Sequence, residues 1–273
     1  MTTATGIHDH PDLKLGLREP SLRATVNLAD YVRTVPDHPL IVDDTTEVTY
    51  ALDNNDRFGV CGPTSLDNLI RTVSTRLTGT QRGLTWDQIV ELYRMENPGF
   101  DPDLPADDPN QDDHGVDLAT MLTNAVTLGF ILGFAQIDVS NDDDVRAGVY
   151  LFTALANGVQ LQVAQQTQTP TGIWYYSPSP TWGGHAVCEP AYEPDGEDVI
   201  TWAQRVRMAR SFISGQRQQA FAVLLPEHLE HPDFRAGFDL ESFEAAFQAI
   251  TDEPFPGQPG AASFLDPAPE VGS

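Results

Sequence analysis

Basic residues are scarce in this chain. Its 273 residues include 15 Lys and Arg against 40 Asp and Glu, a formal net charge of -25, and Lys14 is the only lysine. Such a surface repels phosphate backbones and anionic bilayers, which argues against nucleic acid and membrane as partners. Cysteine is equally scarce, with only Cys61 and Cys188. No apolar run approaches the roughly 18–20 residues of a membrane span, and no charged-then-apolar leader opens the chain. The expectation is a soluble protein made in a reducing cytosol, with both thiols free. No internal repeat is present, and neither a cofactor nor a metal is expected. His8-Asp9-His10 reads as a solvated tail. The acidic stretch from Asn97 to His114 lacks the spacing and the glycine of a calcium loop, so it reads as a solvated loop.

What is present suits a folded body. Hydrophobic residues make up 40% and aromatics 9%, and 21 Gly and 21 Pro predict many turns. Residues 1–55 read as an N-terminal arm packing over the body, with a short helix near Leu28–Val32 and strand pieces at 41–42 and 48–50. Residues 56–252 read as the main domain, and 253–273 as a Pro/Gly-rich tail. Helices are expected over 64–76, over 84–93 with a Thr85/Gln88 capping box, and from Asp117 to Gly129. A further helix is expected from Ser140 or Asn141, with Leu155 on its apolar face and Gly158 closing it. Strands are expected at 130–137, 159–163, 184–190, 198–203 and 220–225, and a short helix or turn at 208–213. The stretch 167–180 reads as a polar loop whose Trp174, Tyr175 and Tyr176 either wall a cleft or pack beneath the loop.

The most informative stretch runs from Asp53 to Ser65. A loop of Asn, Asp and Gly leads into Cys61, followed by Gly-Pro-Thr-Ser and then Leu66, Leu69, Ile70 and Val73 at helical spacing. Cys61 therefore falls at the N-terminus of a buried helix, where free N–H groups and the helix dipole lower a thiol pKa. Far downstream, Gly183 and Gly184 precede His185 on a short apolar strand. Such Cys and His pairs meet in the fold rather than along the chain. Asn55, six positions before Cys61, offers an amide that can donate to an oxyanion. By period-two alternation Cys188 faces away from His185, so it is not expected to reach Cys61.

These residues resemble the papain-like cysteine peptidases. The shared order is an amide residue six before the Cys, the Cys on a helix N-terminus, a Gly-His strand, and then a strand carrying Trp. The likeness is greatest to papain-like proteins of actinobacteria and their phages. Their "ND.(Y/F)G.C", "GGHA" and "TWG" segments correspond to Asn55–Cys61, Gly183–Ala186 and Thr201-Trp202-Ala203. The resemblance covers about Leu13 to Thr251. It implies an α+β fold with a helical half carrying Cys61, an antiparallel β half carrying His185, and a cleft between them. It also implies a peptide or protein substrate. Cys61 would be the nucleophile, His185 its proton partner and Asn55 an oxyanion donor, with Gly183, Gly184, Trp182 and Trp202 around the cleft. Two positions depart from the pattern. Ile200 stands where the family places an Asn that holds the imidazole, and Ala203 stands where glycine is expected.

Three functional classes follow: a cysteine peptidase or amide hydrolase; a papain-like fold kept as a structural or binding component, for example on a phage particle with phage structural proteins as partners; and a thiol-dependent transferase or peptidoglycan-amide hydrolase. Ile200, Ala203 and the short arm favour the second.

Overall fold

The computed structural model describes residues 13–20, 25–32 and 37–251. The His8-Asp9-His10 triplet and the tail 253–273 lie outside these residues.

Helix α1 (Cys61–Thr78) is the axis of the molecule. Val60 precedes it without a side-chain cap, Pro63 sits in its first turn, where a missing N–H costs nothing, and Gly79 ends it in the left-handed region. Every residue from Cys61 to Ile70 is buried, because the helix is enclosed by a sheet on one side and by helices on the other. Helix α2 (Trp86–Arg94) begins at the expected capping box, in which Thr85 accepts from Gln88 N–H and the Gln88 side chain reaches back to Thr85. Helix α3 (Leu118–Thr127) starts at Asp117, whose carboxylate accepts from Thr120 N–H. Helix α4 (Asp142–Phe152) is capped by Asn141, with Asp142, Asp143 and Asp144 in the first turn, where negative charge suits the dipole. Among the described residues the remaining α-helices are α5 (Ala164–Gln168), α6 (Arg210–Gln216), α7 (Pro226–Leu229), α8 (Pro232–Gly237) and α9 (Leu240–Thr251).

The strands are β1 (Val42–Asp43), β2 (Gly133–Ile137), β3 (Leu155–Gln162), β4 (Ile173–Trp174), β5 (Thr181–Glu193), β6 (Gly196–Thr201), β7 (Gln204–Ala209) and β8 (Arg217–Leu224). They form one sheet in the order β2-β8-β3-β5-β6-β7-β4, with β1 on β5. Every pairing is antiparallel except β4 with β7.

Four readings require correction. The helix α4 does not run on through Leu155 to Gly158. It stops at Phe152, and Thr153 turns the chain at φ 68°. Residues 155–162 become a central strand paired on both edges, so tertiary pairing overrides the helical period. No strand is expected over 204–209, because Gln204, Arg205 and Arg207 carry little strand propensity, yet β7 forms there. Cross-strand pairing supplies the reason, since Arg205 and Arg207 both bind the buried Asp198 on β6. The stretch 48–50 is not a strand, and 167–180 holds part of a short helix, a 3₁₀ turn and β4.

Two apolar cores result. The larger joins α1, α2, α3, α4 and the helix-facing side of the sheet, and it includes Cys61, Ala186 and Cys188. The smaller lies among β3 to β7 and α6, around Trp174, Trp182, Val187 and Trp202. The arm bridges them: Leu17 is buried in the first and Leu15 in the second.

Candidate active site

The fold brings Cys61 to the edge of β5. Ala186 N–H donates to Cys61 Sγ at 3.4 Å, so the thiol touches the residue next to His185. The N–H groups of Gly16 and Gly62 also point at the sulfur. Cys61 is nevertheless fully buried, and burial outweighs the three donors and holds the thiol up at about 11. Both cysteines are free and buried.

His185 is fully enclosed as well. Its Nε2 lies 2.6 Å from Thr201 Oγ1, and its ring stacks on Trp202 with centroids 4.2 Å apart and planes 14° from parallel. Trp182 stacks on Trp202 at 6.1 Å, and Trp174 meets Trp202 edge-on at 6.4 Å. Trp174 is itself buried, which assigns it to packing, whereas Tyr175 and Tyr176 are half-exposed. Burial in this aromatic box pushes the imidazole down to about 3, so the ring is neutral at physiological pH. Nδ1 is buried and has no hydrogen-bond partner.

Thr201 is the residue the sequence reading passed over. Position 200 is an isoleucine that faces the helix-side core, but the next side chain reaches the imidazole instead. The signal was present: strand alternation puts Thr201 on the face opposite Ile200, as it puts His185 on the face opposite Ala186. Trp202 and Ala203 form the two-residue turn from β6 to β7, with φ 47° and 56°. Those left-handed angles fold the Trp202 ring back over His185.

Asn55 is buried on the loop before α1, and its Oδ1 has no partner. The loop is held from both ends. Asn68 on α1 makes reciprocal bonds with Ala51, at 2.8 and 3.0 Å. Asp113 accepts from Gly59 N–H at 3.0 and 3.1 Å and is itself bound by the Tyr93 hydroxyl, which in turn accepts from Gly115 N–H at 2.9 Å. Burial raises the Asp113 carboxyl, opposed by these donors and by the charge of Lys14. Asp113 therefore departs from the solvated acidic loop expected around it. Among the described residues no group of three or more His, Cys, Asp or Glu side chains is arranged to hold a metal, and no helix is long and apolar enough to cross a membrane.

The cleft between the two halves is filled by the arm. Leu17 N–H donates to Gly184 carbonyl at 3.2 Å, Val116 N–H donates to Gly16 carbonyl at 2.8 Å, and Arg18 N–H donates to Val116 carbonyl at 2.8 Å. The arm runs antiparallel to Gly184 and parallel to Val116. Glycines make this approach possible. A Cβ on Gly184 would meet Leu17 carbonyl oxygen at 2.4 Å, and one on Gly115 would meet Gly16 carbonyl oxygen at 2.2 Å. Gly183 pairs with Leu161 inside the sheet and lies one residue from this contact. The arm shows the thiol an amide N–H rather than a carbonyl carbon, so in this pose it seals the sulfur without offering it an electrophile. A surface groove of about 930 Å³ between residues 37–44 and α8 contains none of the candidate residues.

No protein-family model and no curated protein sequence matches the chain. Solved structures do. Recombinant stem bromelain precursor superposes with a TM-score of 0.52 at 16% identity, over 79% of this chain and 78% of that one. Procathepsin B S9 from Trypanosoma congolense gives 0.50 at 10%, over 78% and 85%. Xylellain, a cysteine protease from Xylella fastidiosa, gives 0.48 at 13%, over 79% and 98%. The fold is papain-like: α1 carries Cys61 in the helical half, and the antiparallel sheet carries His185 in the other.

Proposed function

We propose that this protein is a papain-like thiol hydrolase of peptides or other amides, in a state closed by its own arm. Residues 1–55 act as the arm, 56–252 as the working domain and 253–273 as an appended tail. The observation that carries the reading is the Thr201–His185–Trp202 arrangement beside the Ala186 N–H that touches Cys61 Sγ. Thr201 supplies an orienting oxygen in place of the absent Asn. With a proton on Nε2 donated to Thr201, Nδ1 is the nitrogen left to take the thiol proton and return it to a leaving amine. Cys61 Sγ attacks the carbonyl carbon, and the oxyanion is met by the Asn55 amide and the N–H groups at the start of α1. Trp202 and Trp182 keep water from the imidazole. Gly183 and Gly184 give the substrate backbone its close approach. Two of the similar folds are named as precursor forms, in accord with a closed cleft.

The test is alkylation of Cys61 in full-length Gly16→Val, where a side chain at position 16 has no room beside Gly59. Fast reaction that disappears in Gly16→Val/His185→Ala, followed by turnover in a peptide screen, supports the hydrolase. Alkylation of Cys61 no faster than that of the buried Cys188 in both proteins refutes it.

The complete burial of Cys61 favours a second reading, a papain-like fold serving as a structural or binding component. Its assignment to a phage particle rests on the likeness of the motif residues alone, and co-purification with particle subunits tests it.

A further inference from the structure

We infer that Asp113 and Tyr93 are positioning residues for Cys61: they hold the backbone strip that leads into the thiol and the strip at Gly115 at one spacing, and they do so without help from the arm. The inference rests on the hydrolase reading above, since that spacing matters only to a thiol that reacts.

The two side chains form a bridge, and every group in it lies outside the arm. Both carboxylate oxygens of Asp113 accept from Gly59 N–H, at 3.0 and 3.1 Å. The Tyr93 hydroxyl donates to Asp113 Oδ1 and accepts from Gly115 N–H at 2.9 Å. One phenol thus holds the Gly115 strip directly and the Gly59 strip through one carboxylate. Gly59 stands two residues before Cys61. Among the described residues no backbone hydrogen bond joins residues 58–60 to residues 113–117, so the spacing of the strips falls to these side chains.

The end of α2 anchors the bridge. Asn97, just past that helix, donates to Gly115 carbonyl at 3.0 Å and accepts from His114 N–H at 3.1 Å. Glu96 accepts from Asp117 N–H at 3.1 Å. The Tyr93 ring meets Phe100 edge-on at 4.8 Å, and Phe100 meets Phe58, the residue before Gly59, at 5.1 Å. Both strips are therefore tied to the same helix end.

The place they define is the place beside the sulfur. A Cβ on Gly16 would fall 1.8 Å from Gly59 carbonyl oxygen, and one on Gly115 would fall 2.2 Å from Gly16 carbonyl oxygen, so Gly16 touches both strips. The Gly16 N–H also points at Cys61 Sγ. Satisfying one loop amide needs no buried carboxylate, which is costly. An ionised carboxylate accepts from Gly59 and Tyr93 together and has no proton of its own to place. Its charge also reaches Cys61 and raises the thiol. An amide at position 113 would keep the accepting oxygen and remove that charge, which separates the two effects.

The experiment uses full-length Gly16→Val and adds Asp113→Asn, Asp113→Leu or Tyr93→Phe. Iodoacetamide labelling of Cys61 is followed by mass spectrometry across the thiol titration, with Cys188 as the internal comparison. The quantity compared is the part of the Cys61 rate that His185→Ala abolishes. It is expected to fall about tenfold or more in Asp113→Leu and in Tyr93→Phe, and to stay within about threefold in Asp113→Asn. In Asp113→Asn the labelling midpoint is expected to move to lower pH, a shift that lost fold stability alone would not produce. Parent rates in Asp113→Leu and Tyr93→Phe overturn the proposal, as does a fall in Asp113→Asn equal to that in Asp113→Leu. Should Asp113→Leu fail to fold by circular dichroism, a parent rate in Tyr93→Phe or an unmoved midpoint in Asp113→Asn overturns it. A Cys61 already inert in Gly16→Val removes the hydrolase and this role with it. A reactive, His185-dependent Cys61 that is indifferent to positions 93 and 113 removes this role alone.

Discussion

His185 Nε2 lies 2.6 Å from Thr201 Oγ1, in a site with no access to water. Replacing Thr201 with Val keeps the shape and removes the partner. The buried nitrogen then costs about 1–3 kcal/mol of stability. With the ring no longer held, His185-dependent reaction of Cys61 in a Gly16→Val background is expected to fall by about 100-fold or more. Thr201→Ser should retain most of both. Urea unfolding and alkylation rates measure the two effects, and identical behaviour of the Val and Ser variants would remove Thr201 from the site.

Burial, not a lack of donors, keeps the Cys61 thiol up at about 11. Opening the cleft with Gly16→Val admits water and takes away one N–H donor. Because burial is the largest influence, the net direction is downward, toward the free-thiol value of about 8.5 or below. The linkage has a matching sign. A thiol raised on folding lends stability below its unfolded pKa and loses it as pH rises through about 11. The midpoint of Cys61 alkylation against pH is the measurement. An unchanged midpoint in Gly16→Val would mean that the arm does not control this thiol.

His228 is the second fully buried imidazole. Its Nδ1 accepts from Leu225 N–H at 3.0 Å, and its Nε2 lies 3.2 Å from Phe152 carbonyl oxygen, which suits the neutral ring. Burial lowers it to about 4. A base depressed on folding contributes fully above its unfolded pKa, and that contribution fades as pH falls through about 6.5 toward the folded value. The stability advantage of wild type over His228→Gln should therefore shrink by about 2 kcal/mol between about pH 6.5 and about pH 5. The slope contributed by His185 is common to both proteins and cancels. An advantage independent of pH in urea titrations would contradict the assignment.

Ala203 stands at φ 56° in the turn after Trp202. An L side chain in that region costs about 1–2 kcal/mol, while glycine enters it freely at some entropic loss. Ala203→Gly is expected to raise stability by about 0.5–1 kcal/mol and leave the Trp202–His185 stack intact. A destabilised variant would show that the Ala203 methyl contributes packing that outweighs the strain.

The local setting of much of the candidate site was legible along the chain because its signals are local. Cys61 opens a helix since Gly59 to Pro63 cannot continue a strand and Leu66, Leu69, Ile70 and Val73 share a helical face. Thr85 and Gln88 form the expected box, and Gly184 marks a close backbone approach. Less legible were elements whose reason is a partner in space. Strand β7 exists because Asp198 gathers Arg205 and Arg207, and β3 begins at Leu155 because β5 and β8 claim it on both edges. Asp113 looked like one more acid in a polar loop until the fold set it under Gly59.

Local chemistry thus picked out the candidate residues and the character of the surface: a thiol at a helix start, a histidine behind two glycines, an amide before the thiol, and an excess of acidic side chains. The tertiary structure decided how they stand to one another. It set Thr201 against His185, kept that imidazole neutral by burying it beneath Trp202, and laid Leu15, Gly16 and Leu17 past Cys61. Periodicity and capping depend on neighbours within a few residues. Burial, imidazole orientation and occupancy of a cleft depend on side chains more than a hundred positions apart, such as Cys61 and His185, and only the closed fold brings those together.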